Sequence, residues 1–431
     1  MASSNDIPPD AGAASIEKDF SAVSDTFGSA IEDPHSLYRE LRQTSPVMEG
    51  DILARFDVPS QADYANKGRQ VYTLFKYEDV TAVLKDPQTY SSGLLNEGIG
   101  QFLGGFMLTG MSNERHKMAR ALLAPAFSPA VIARWRETVK SVVREEVIAP
   151  LAPAGKADLI RDVLLPAPVR LIYAILGFPE DRDQIEQFAA WGMRILVGPQ
   201  RDPEKAKKTM EAATRASTDI HEHVMALTQQ RRREGAEGNG LLDYLIHANY
   251  DGRTLTDDEI SSFVRQLLPA ASETTTRSFG SMLVALLRDP ELLARVRADR
   301  SLVAKVIDEG MRWETASQFL ARQCERDVEI RGVKIPRGAA LSLASGSANR
   351  DEDVFENPDT FDIDRPKKPH LGFGFGAHLC LGMGVARMEM EIMLNTMLDA
   401  WPNLRLDPAA PEPKIVGVQL RGPREIPVVW D

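Results

Sequence analysis

Cys380 is the residue of this chain whose setting points most directly to a chemical role. Residues 373–382 read FGFGAHLCLG, and an apolar helical pattern begins near Leu381. A helix start offers unpaired N–H groups and the positive end of a dipole, and both stabilise a thiolate. Gly374 lets the backbone turn sharply, and Phe373 would keep water from the sulfur. The loop therefore predicts a deprotonated, dry cysteine that ligates a metal.

Fitted to the pattern F-x-x-G-x-[HR]-x-C-x-G, this stretch resembles the haem-binding loop of the cytochrome P450 family. The resemblance implies haem b as cofactor, with Cys380 ligating its iron and with Phe373 and Gly374 beside it. A thiolate ligand pushes electron density onto the iron and favours O–O cleavage. One alternative is an ordinary buried cysteine. A dinucleotide fingerprint at residues 372–377 would need a strand before it, and KKPH at residues 367–370 is not one.

A long helix is predicted over residues 257–287. Thr256 and Glu259 form a capping box at its start, and Asp289-Pro290 ends it. Midway along its apolar pattern, residues 270–275 read AASETT. Small and polar residues in the middle of a buried helix conflict with good packing, and such a conflict usually indicates a functional site.

This stretch resembles the oxygen-activating segment of the same family, [AG]-G-x-[DE]-T-[TS]. The resemblance makes Glu273 and Thr274 the catalytic acid and alcohol, because a carboxylate and a hydroxyl linked by water can supply the protons that dioxygen activation consumes. Ala271, next to the haem, replaces a glycine common at that position, and Pro269 is predicted to kink the helix. In the alternative interpretation, Thr274 bonds back to the carbonyl four residues earlier and Glu273 is solvated.

Two further sets of residues follow from the resemblance. Haem carries two propionates, and the resemblance assigns them His116 and Arg120, which share a helix face, together with Arg322 and His378. It also implies a buried charge network that supports the haem loop, formed by Glu309, Arg312 and Arg365. Taken alone, a Glu and an Arg three residues apart would be an ordinary exposed pair.

The predicted substrate pocket is apolar. Residues 91–110 are rich in glycine and in large apolar side chains, which is typical of a flexible lid, although a loop that merely covers the core has the same composition. The predicted lining residues, from this loop and from other segments that contact substrate in the family, are Phe102, Phe106, Leu108, Met193, Ala270, Ala316, Phe319 and Val418.

The fold that the resemblance implies is a cytochrome P450 fold, mainly α with small β-sheets, holding haem between the long helix and the Cys380 loop. Helices are also predicted over residues 134–147, 209–233 and 301–313, and strands over 71–77 and 425–430 with a hairpin at 328–335. We expect a disordered tail at residues 1–25 and a single domain over residues 26–431. Residues 349–376 form a long segment without regular structure, which usually indicates function.

The composition argues against nucleic-acid-binding, disulfide-rich and membrane proteins. The formal net charge is -11, from 62 acidic and 51 basic residues, which argues against nucleic acid as a partner. The two cysteines, Cys324 and Cys380, exclude a disulfide framework and favour a reducing cytoplasm. The first twenty residues lack the pattern of a signal peptide, and no stretch reaches the length of a membrane span. We therefore expect a cytoplasmic protein that binds neither nucleic acid nor membrane.

The resemblance implies an oxidoreductase, a monooxygenase that transfers one atom of O2 to an apolar small molecule. Because nothing resembles a flavin domain, electrons are expected from a ferredoxin with its NAD(P)H-dependent reductase. Local charge suggests docking near Arg115, Lys117 and Arg136. Two alternatives stay open: a haem protein of the same fold that dehydrates, isomerises or senses a ligand, and a helical binding protein without haem.

Overall fold

The computed structural model describes residues 13–28, 30–62, 68–179, 181–198, 200 and 202–431. Helices dominate this part of the chain, as the sequence predicts. They are α1 (Ala13–Thr26), α2 (His35–Thr44), α3 (Tyr77–Lys85), α4 (Gly100–Leu103), α5 (Asn113–Leu123), α6 (Pro129–Ser141), α7 (Pro166–Leu176), α8 (Arg182–Val197), α9 (Pro203–Arg233), α10 (Leu241–His247), α11 (Asp257–Leu287), α12 (Pro290–Ala298), α13 (Val303–Trp313), α14 (Ser345–Ala348) and α15 (Met383–Ala400). None of these helices is long and apolar enough to cross a membrane.

The strands are short and form small sheets. They are β1 (Val47–Glu49), β2 (Val71–Leu74), β3 (Tyr90–Ser91), β4 (Lys156–Asp158), β5 (Asn249–Tyr250), β6 (Arg253–Thr254), β7 (Leu320–Cys324), β8 (Val328–Ile330), β9 (Val333–Ile335), β10 (Ala340–Leu343), β11 (Arg405–Leu406), β12 (Ile415–Val416), β13 (Gly422–Pro423) and β14 (Pro427–Val429). The largest sheet has the order β1-β2-β10-β7-β3, in which β10 pairs parallel with β2 and antiparallel with β7.

Helix α11 runs through the core and has the boundaries that the sequence predicts. Its capping box is present: Glu259 N–H donates to Thr256 Oγ1 at 3.2 Å, and Thr256 N–H donates to the Glu259 carboxylate at 3.0 Å. The helix packs against α7, α8, α9 and α13. It continues through Pro269 without ending there, and α8 approaches that point closely, because a Cβ on Gly192 would lie 3.7 Å from Pro269 N.

Helix α1 corrects the prediction of a disordered tail over residues 1–25. Residues 13–26 are helical, and Ile16, Phe20 and Val23 are buried against the core. Their spacing of four and three residues forms an apolar stripe on one helix face. The prediction was wrong for these residues because this apolar stripe gives residues 13–26 a face to bury, although the start of the chain is polar and contains proline. Residues 1–12 lie outside the described residues.

Other helices and strands predicted from the sequence are present, but their first and last residues differ from the prediction. The hairpin of β8 and β9 is confirmed, and its turn residues Arg331 and Gly332 have φ values of +49° and +81°, the pattern of a tight hairpin turn. Strand β2 is shorter than predicted because Tyr77 already begins α3. Helix α6 begins earlier than predicted and continues into a π-helical segment, Val142–Ile148. Residues 349–375 contain no helix and no strand beyond an isolated bridge between Gly372 and Gly374, and a short 3₁₀ turn begins at Gly376, so the expected irregular segment is present.

Candidate active site

A cavity of about 370 Å³ separates the middle of α11 from the loop that precedes α15. The loop contributes residues 371–375 and 378–382, and α11 contributes Ala270, Ala271, Thr274 and Thr275 among others. Apolar side chains from α7 and from the segment before α5 close part of the sides, and α5 contributes the basic side chains of His116 and Arg120. The two motifs, which are about 100 residues apart in the sequence, therefore face each other across one chamber.

Cys380 is exposed, and its sulfur opens onto this cavity. The Cys380 N–H donates to the Phe373 carbonyl at 2.9 Å, which closes the loop. Helix α15 begins at Met383, directly beyond the cysteine. Burial of the loop raises the pKa of Cys380, whereas the N–H groups of Gly382 and Met383 and the charge of Arg120 lower it. The opposing N–H groups and positive charge are those that stabilise a thiolate ligand.

Two glycines of the loop have a positive φ, but only one of them is also closely approached by another part of the backbone. Gly376 has a φ of +68°, and a Cβ at this position would lie 2.2 Å from the Leu84 carbonyl oxygen. Gly374 also has a positive φ, +73°, but the nearest atom to its Cβ would be 3.5 Å away. The loop therefore needs glycine at residue 376 for close approach as well as for backbone conformation.

Four basic side chains, His116, Arg120, Arg322 and His378, line one edge of the cavity, as the resemblance predicts. The His116 and His378 rings are 3.9 Å apart, and His378 Nε2 lies 3.2 Å from Ser92 Oγ. Burial, then the neighbouring arginine charges, lowers the pKa of His116 to about 4; burial alone lowers that of Arg322 to about 10.

This edge lacks the anions that would balance it. His116 Nε2 is buried without a hydrogen-bond partner, and within the described residues no carboxylate pairs with Arg120 or Arg322. Buried cations without counter-charges are costly. The arrangement therefore fits an anionic ligand that reaches this edge, such as the propionates of a haem.

The predicted charge network of Glu309, Arg312 and Arg365 is present behind the loop. Arg312 donates to both carboxylate oxygens of Glu309, at 2.8 and 2.6 Å, and Arg365 Nε donates to Glu309 Oε1 at 3.3 Å. Arg312 also donates to the Asn349 carbonyl at 3.0 Å. The Asn349 side chain in turn accepts from the Leu371 N–H at 2.6 Å, so the network is connected to the start of the haem loop.

Thr274 lies where the sequence predicts, but its hydroxyl has a local partner. Its side chain lines the cavity, and Oγ1 donates to the Ala270 carbonyl at 2.6 Å. This is the back-bonded geometry of the alternative interpretation. Thr274 therefore lines the cavity, but the hydrogen bond that its hydroxyl donates stays within α11.

Glu273 does not reach the cavity. It is fully buried, is not among the residues that line the cavity, and forms an ion pair with Arg277. Burial raises the pKa of Glu273, and the charge and hydrogen bond of Arg277 oppose that rise. The assignment of Glu273 as the catalytic acid stays a prediction, with a side chain that points about 100° away from that of Thr274 around the helix. The alternative interpretation, in which Glu273 is solvated, is wrong because the residue is 1% exposed.

A model of the cytochrome P450 family matches residues 64–416. The chain belongs to the cytochrome P450 family. It is 34% identical over 369 residues to cytochrome P450 109 of Bacillus spizizenii, covering 85% of this chain and 84% of the relative. It is 31% identical over 380 residues to the cyclomarin C epoxidase CymV of Salinispora arenicola, covering 86% and 90%. CYP109E1 of Bacillus megaterium, crystallised with testosterone, superimposes with a TM-score of 0.79 at 28% identity, covering 93% and 99%.

Membership makes the protein a P450 monooxygenase with haem b as cofactor, and the residues present fit that group. The Cys380 sulfur forms the floor of the chamber, Ala270 and Ala271 leave space beneath α11, and the unpaired cations lie at one edge. The predicted P450 fold, mainly helical with small sheets, is confirmed by the superposition. The residues that would hold the haem all line the chamber.

The predicted substrate pocket of this P450 is only partly correct. Leu108, Ala270 and Ala316 line the cavity. The other five predicted residues, Phe102, Phe106, Met193, Phe319 and Val418, do not line it and are buried in the core. Phe319, for example, packs edge-on against Tyr38, and Val418 lies against Gly28. Composition alone does not distinguish a wall of the pocket from the core behind it.

Several lining residues of the P450 chamber were missed by the sequence argument. They are Phe127, Ile172, Ile175, Leu241, Phe263, Gln266, Leu267, Ser278 and Glu389, whereas Leu95 and Thr109, which also line it, belong to the predicted lid at residues 91–110. Gln266 has a signal that could have been used, since it is a polar residue on the buried face of α11. Its Oε1 accepts from the Leu108 N–H at 3.0 Å, and its Nε2 donates to Thr109 Oγ1 at 2.8 Å. It thus fixes the segment before α5 to the central helix.

Proposed function

We propose that this P450 inserts one oxygen atom of O2 into a C–H bond of an apolar small molecule. The other oxygen leaves as water, and the reaction consumes two electrons and two protons in addition to O2. The observation that carries the proposal is the Cys380 sulfur facing a largely apolar chamber beneath Thr274. Thiolate-ligated haem supplies the activation of dioxygen when it is bound.

The protein residues of the chamber have distinct roles in this proposal. Cys380 ligates the iron, and Arg120, Arg322, His116 and His378 bind the propionates. Thr274 and Glu273 supply the protons in this proposal. The Thr274 hydroxyl lies at the chamber and has to exchange its bond to the Ala270 carbonyl for one toward the chamber, and the buried Glu273 carboxyl group lies behind it. Apolar side chains such as Phe263 and Leu267 orient the substrate and exclude water, which favours an uncharged organic molecule.

Electrons come from a separate partner in this proposal, a ferredoxin reduced by its NAD(P)H-dependent reductase. The support is family membership over residues 64–416, since bacterial P450s typically receive their electrons from a ferredoxin. Because NAD(P)H is a cytoplasmic reductant, we place the enzyme in the cytoplasm with that partner.

A second function is favoured by one observation. The Thr274 hydroxyl is bonded to the Ala270 carbonyl, and Glu273 is paired with Arg277 outside the chamber. A P450 that dehydrates, isomerises or senses a ligand would need Cys380 but no proton supply at Thr274. This arrangement is compatible with such a protein.

The first experiment is the absorption spectrum of the reduced holoenzyme with carbon monoxide. A strongly red-shifted Soret band is expected from thiolate ligation, and a band at the position of histidine-ligated haem would contradict the role of Cys380. Spin-state shifts with testosterone and with a long-chain fatty acid then test for an apolar substrate. Absence of product from every compound that shifts the spin state would favour the second function.

Thr274→Ala separates the two functions. For a monooxygenase, the variant should release peroxide instead of product, because a proton donor to oxygen is missing. The rate of haem reduction under carbon monoxide serves as the control, since no oxygen is protonated there. Unchanged product formation in the variant would exclude the proposed role of Thr274.

A further inference from the structure

Helix α1 packs onto the centre of the molecule although it precedes residues 64–416, the region that the family model matches. Its buried face contacts α8 and the core. Asp19 on this helix also pairs with Arg194 of α8, at 3.4 Å. The helix is therefore fixed both by apolar contacts and by an ion pair.

The same face of α1 reaches Arg277 on α11. The Arg277 guanidinium lies over the Phe20 ring, 4.6 Å from its centroid, and Nη2 donates to Ser24 Oγ at 2.9 Å. The stem of Arg277 is confined from the other side, because a Cβ on Gly422 would lie 2.7 Å from Arg277 Cβ. Arg277 is 1% exposed, so these contacts determine where its charge lies.

The hydrogen bonds between α1 and α11 have a defined direction. Ser24 Oγ donates its proton to the Phe20 carbonyl at 2.9 Å, so it is free to accept from Arg277 and cannot compete as a donor. Phe20 and Ser24 are four residues apart and therefore occupy one face of the helix. Both contacts with Arg277 thus come from a single surface of α1.

Arg277 is in turn the charged group that faces Glu273. It donates to Glu273 Oε1, while Oε2 is buried without a partner among the described residues. Loss of one member of a buried pair leaves an uncompensated charge. A displacement of Arg277 therefore changes the position of the carboxyl group that directly precedes Thr274 in the chain.

We propose that α1 is a positioning element of the active site, in which Phe20 and Ser24 hold Arg277, and through it Glu273, for proton supply at Thr274. The inference rests on the proposed monooxygenase function. Phe20 and Ser24 are positioning residues, since they contact neither the chamber nor a group that reacts.

The test compares holoenzyme variants of α1. Ser24→Ala removes the acceptor for Arg277, and Phe20→Leu removes the ring beneath the guanidinium. Ser24→Thr keeps the hydroxyl and is the conservative variant. Asp19→Asn is the matched control, because it weakens the contact of α1 with α8 and leaves Arg277 untouched.

Three quantities are measured without added substrate, with a plant-type ferredoxin and its NADPH-dependent reductase as electron source. The first is the rate of NADPH consumption in H2O and in D2O, whose ratio reports proton transfer. The second is the rate of haem reduction under carbon monoxide, which needs no proton delivery to oxygen. The third is the midpoint of thermal unfolding.

In Ser24→Ala and Phe20→Leu, NADPH consumption is expected to fall about threefold and the solvent isotope effect to rise, because proton transfer becomes limiting. Haem reduction under carbon monoxide stays at the wild-type rate. Ser24→Thr and Asp19→Asn are expected to keep the wild-type isotope effect, even where the unfolding midpoint of Asp19→Asn falls by a few degrees.

Unchanged isotope effects in both Ser24→Ala and Phe20→Leu would overturn the proposal. A solvent isotope effect that rises as much in Asp19→Asn as in Ser24→Ala would also overturn it. Helix α1 would then stabilise the fold as a whole and would not position Arg277 specifically. If Thr274→Ala has its expected effect and the α1 variants have none, the inference about α1 fails alone. If Thr274→Ala has no effect, the proposed function fails and the inference fails with it.

Discussion

Glu389 is a buried carboxyl group in the wall of the chamber that the proposed chemistry does not use. It lies on α15, is 1% exposed, and its Oε1 has no hydrogen-bond partner among the described residues. Burial raises its pKa to about 8. An unpaired carboxyl group in such a place is kept neutral at pH 7 because the charged form is poorly solvated.

Glu389→Gln should stabilise the protein at alkaline pH. The folded pKa of Glu389 is above the unfolded value of 4.5, so the unfolded state binds fewer protons between these values and stability falls as pH rises through this window. One pKa unit corresponds to about 1.4 kcal/mol, so the gain at pH 8 is at most about 5 kcal/mol. At pH 4 the variant and the wild type should be nearly equal.

Chemical unfolding of the holoenzyme at pH 4, 6 and 8 measures this difference. Glu211→Gln, an exposed position on α9, is the matched control and should show no such trend. A stability difference between Glu389→Gln and wild type that is the same at all three pH values would show that folding does not raise the pKa of Glu389.

At the scale of the element, the loop before α15 needs glycine for two reasons: a positive φ angle, and the close approach of a neighbouring backbone segment. Gly376→Ala should destabilise the loop and weaken haem retention, because a Cβ would lie 2.2 Å from a backbone oxygen that cannot move aside. Gly374→Ala is the matched control, since it carries the positive φ without the clash and should cost about 1 kcal/mol.

Haem content after purification and the midpoint of thermal unfolding test these two variants. The Gly376→Ala variant should lose more stability than Gly374→Ala, by about 2 kcal/mol or more. Equal losses in the two variants would mean that the backbone conformation alone limits both positions and that the contact with Leu84 is relieved.

The elements that could be predicted from the sequence are those fixed by nearby residues. The capping box of α11, the hairpin turn at Arg331 and the glycine loop around Cys380 each depend on residues within a few positions. The direction in which the Glu273 side chain points could not be predicted in this way. Its ion-pair partner, Arg277, is hydrogen-bonded to Ser24, which lies about 250 positions away in the sequence. The wall of the substrate chamber was missed for the same reason.

At the scale of the whole molecule, the net charge of -11 leaves basic residues in a mixed-charge groove beside α15, which Glu137 and Asp399 also line. Arg136, Lys140 and Arg144 follow one another at four-residue spacing and line a groove with residues of α15. Arg136 is 37% exposed and pairs with Glu391. Of the other predicted docking residues, Arg115 donates to the Gly105 carbonyl, and Lys117 lies 3.8 Å from Glu114.

Arg136→Glu should slow reduction of the haem by an acidic ferredoxin, because the encounter is steered by opposite charges. The rate is expected to fall about tenfold at low ionic strength, and the difference from wild type should shrink as salt is added. Arg233→Glu makes the same charge change at an exposed position at the end of α9 and should have little effect. Equal effects of the two variants would discard this docking surface.

A second buried charge cluster, around Glu314, joins the two ends of the described chain. Its carboxylate is paired with His35 at 3.0 Å, Arg350 at 3.1 Å and Arg421 at 2.9 Å. Arg421 also donates to the Glu32 carbonyl at 2.6 Å. Burial opposes ionisation of Glu314, but Arg421, His35 and Arg350 outweigh it and hold the pKa of this carboxyl group well below its usual range.

The cluster predicts how stability depends on pH through His35. Burial, and then the charges of Arg350 and Arg421, lower the pKa of His35 to about 4 against the pull of Glu314. The unfolded histidine titrates near 6.5, so between these values the unfolded state binds more protons and stability falls as pH falls. The loss through His35 is at most about 3 kcal/mol, and the lowered pKa of Glu314 extends the loss below pH 4.5.

His35→Asn should flatten the pH profile of the unfolding midpoint between pH 6.5 and 4, because Asn binds no proton in this window, although the variant is less stable at pH 7 without the bond to Glu314. His247→Asn, at an exposed position on α10, should keep the wild-type profile. If His35→Asn had the wild-type slope, folding would leave the pKa of His35 unchanged. Burial of His35 and its pairing with Glu314 would then make no net contribution to the pH dependence of stability.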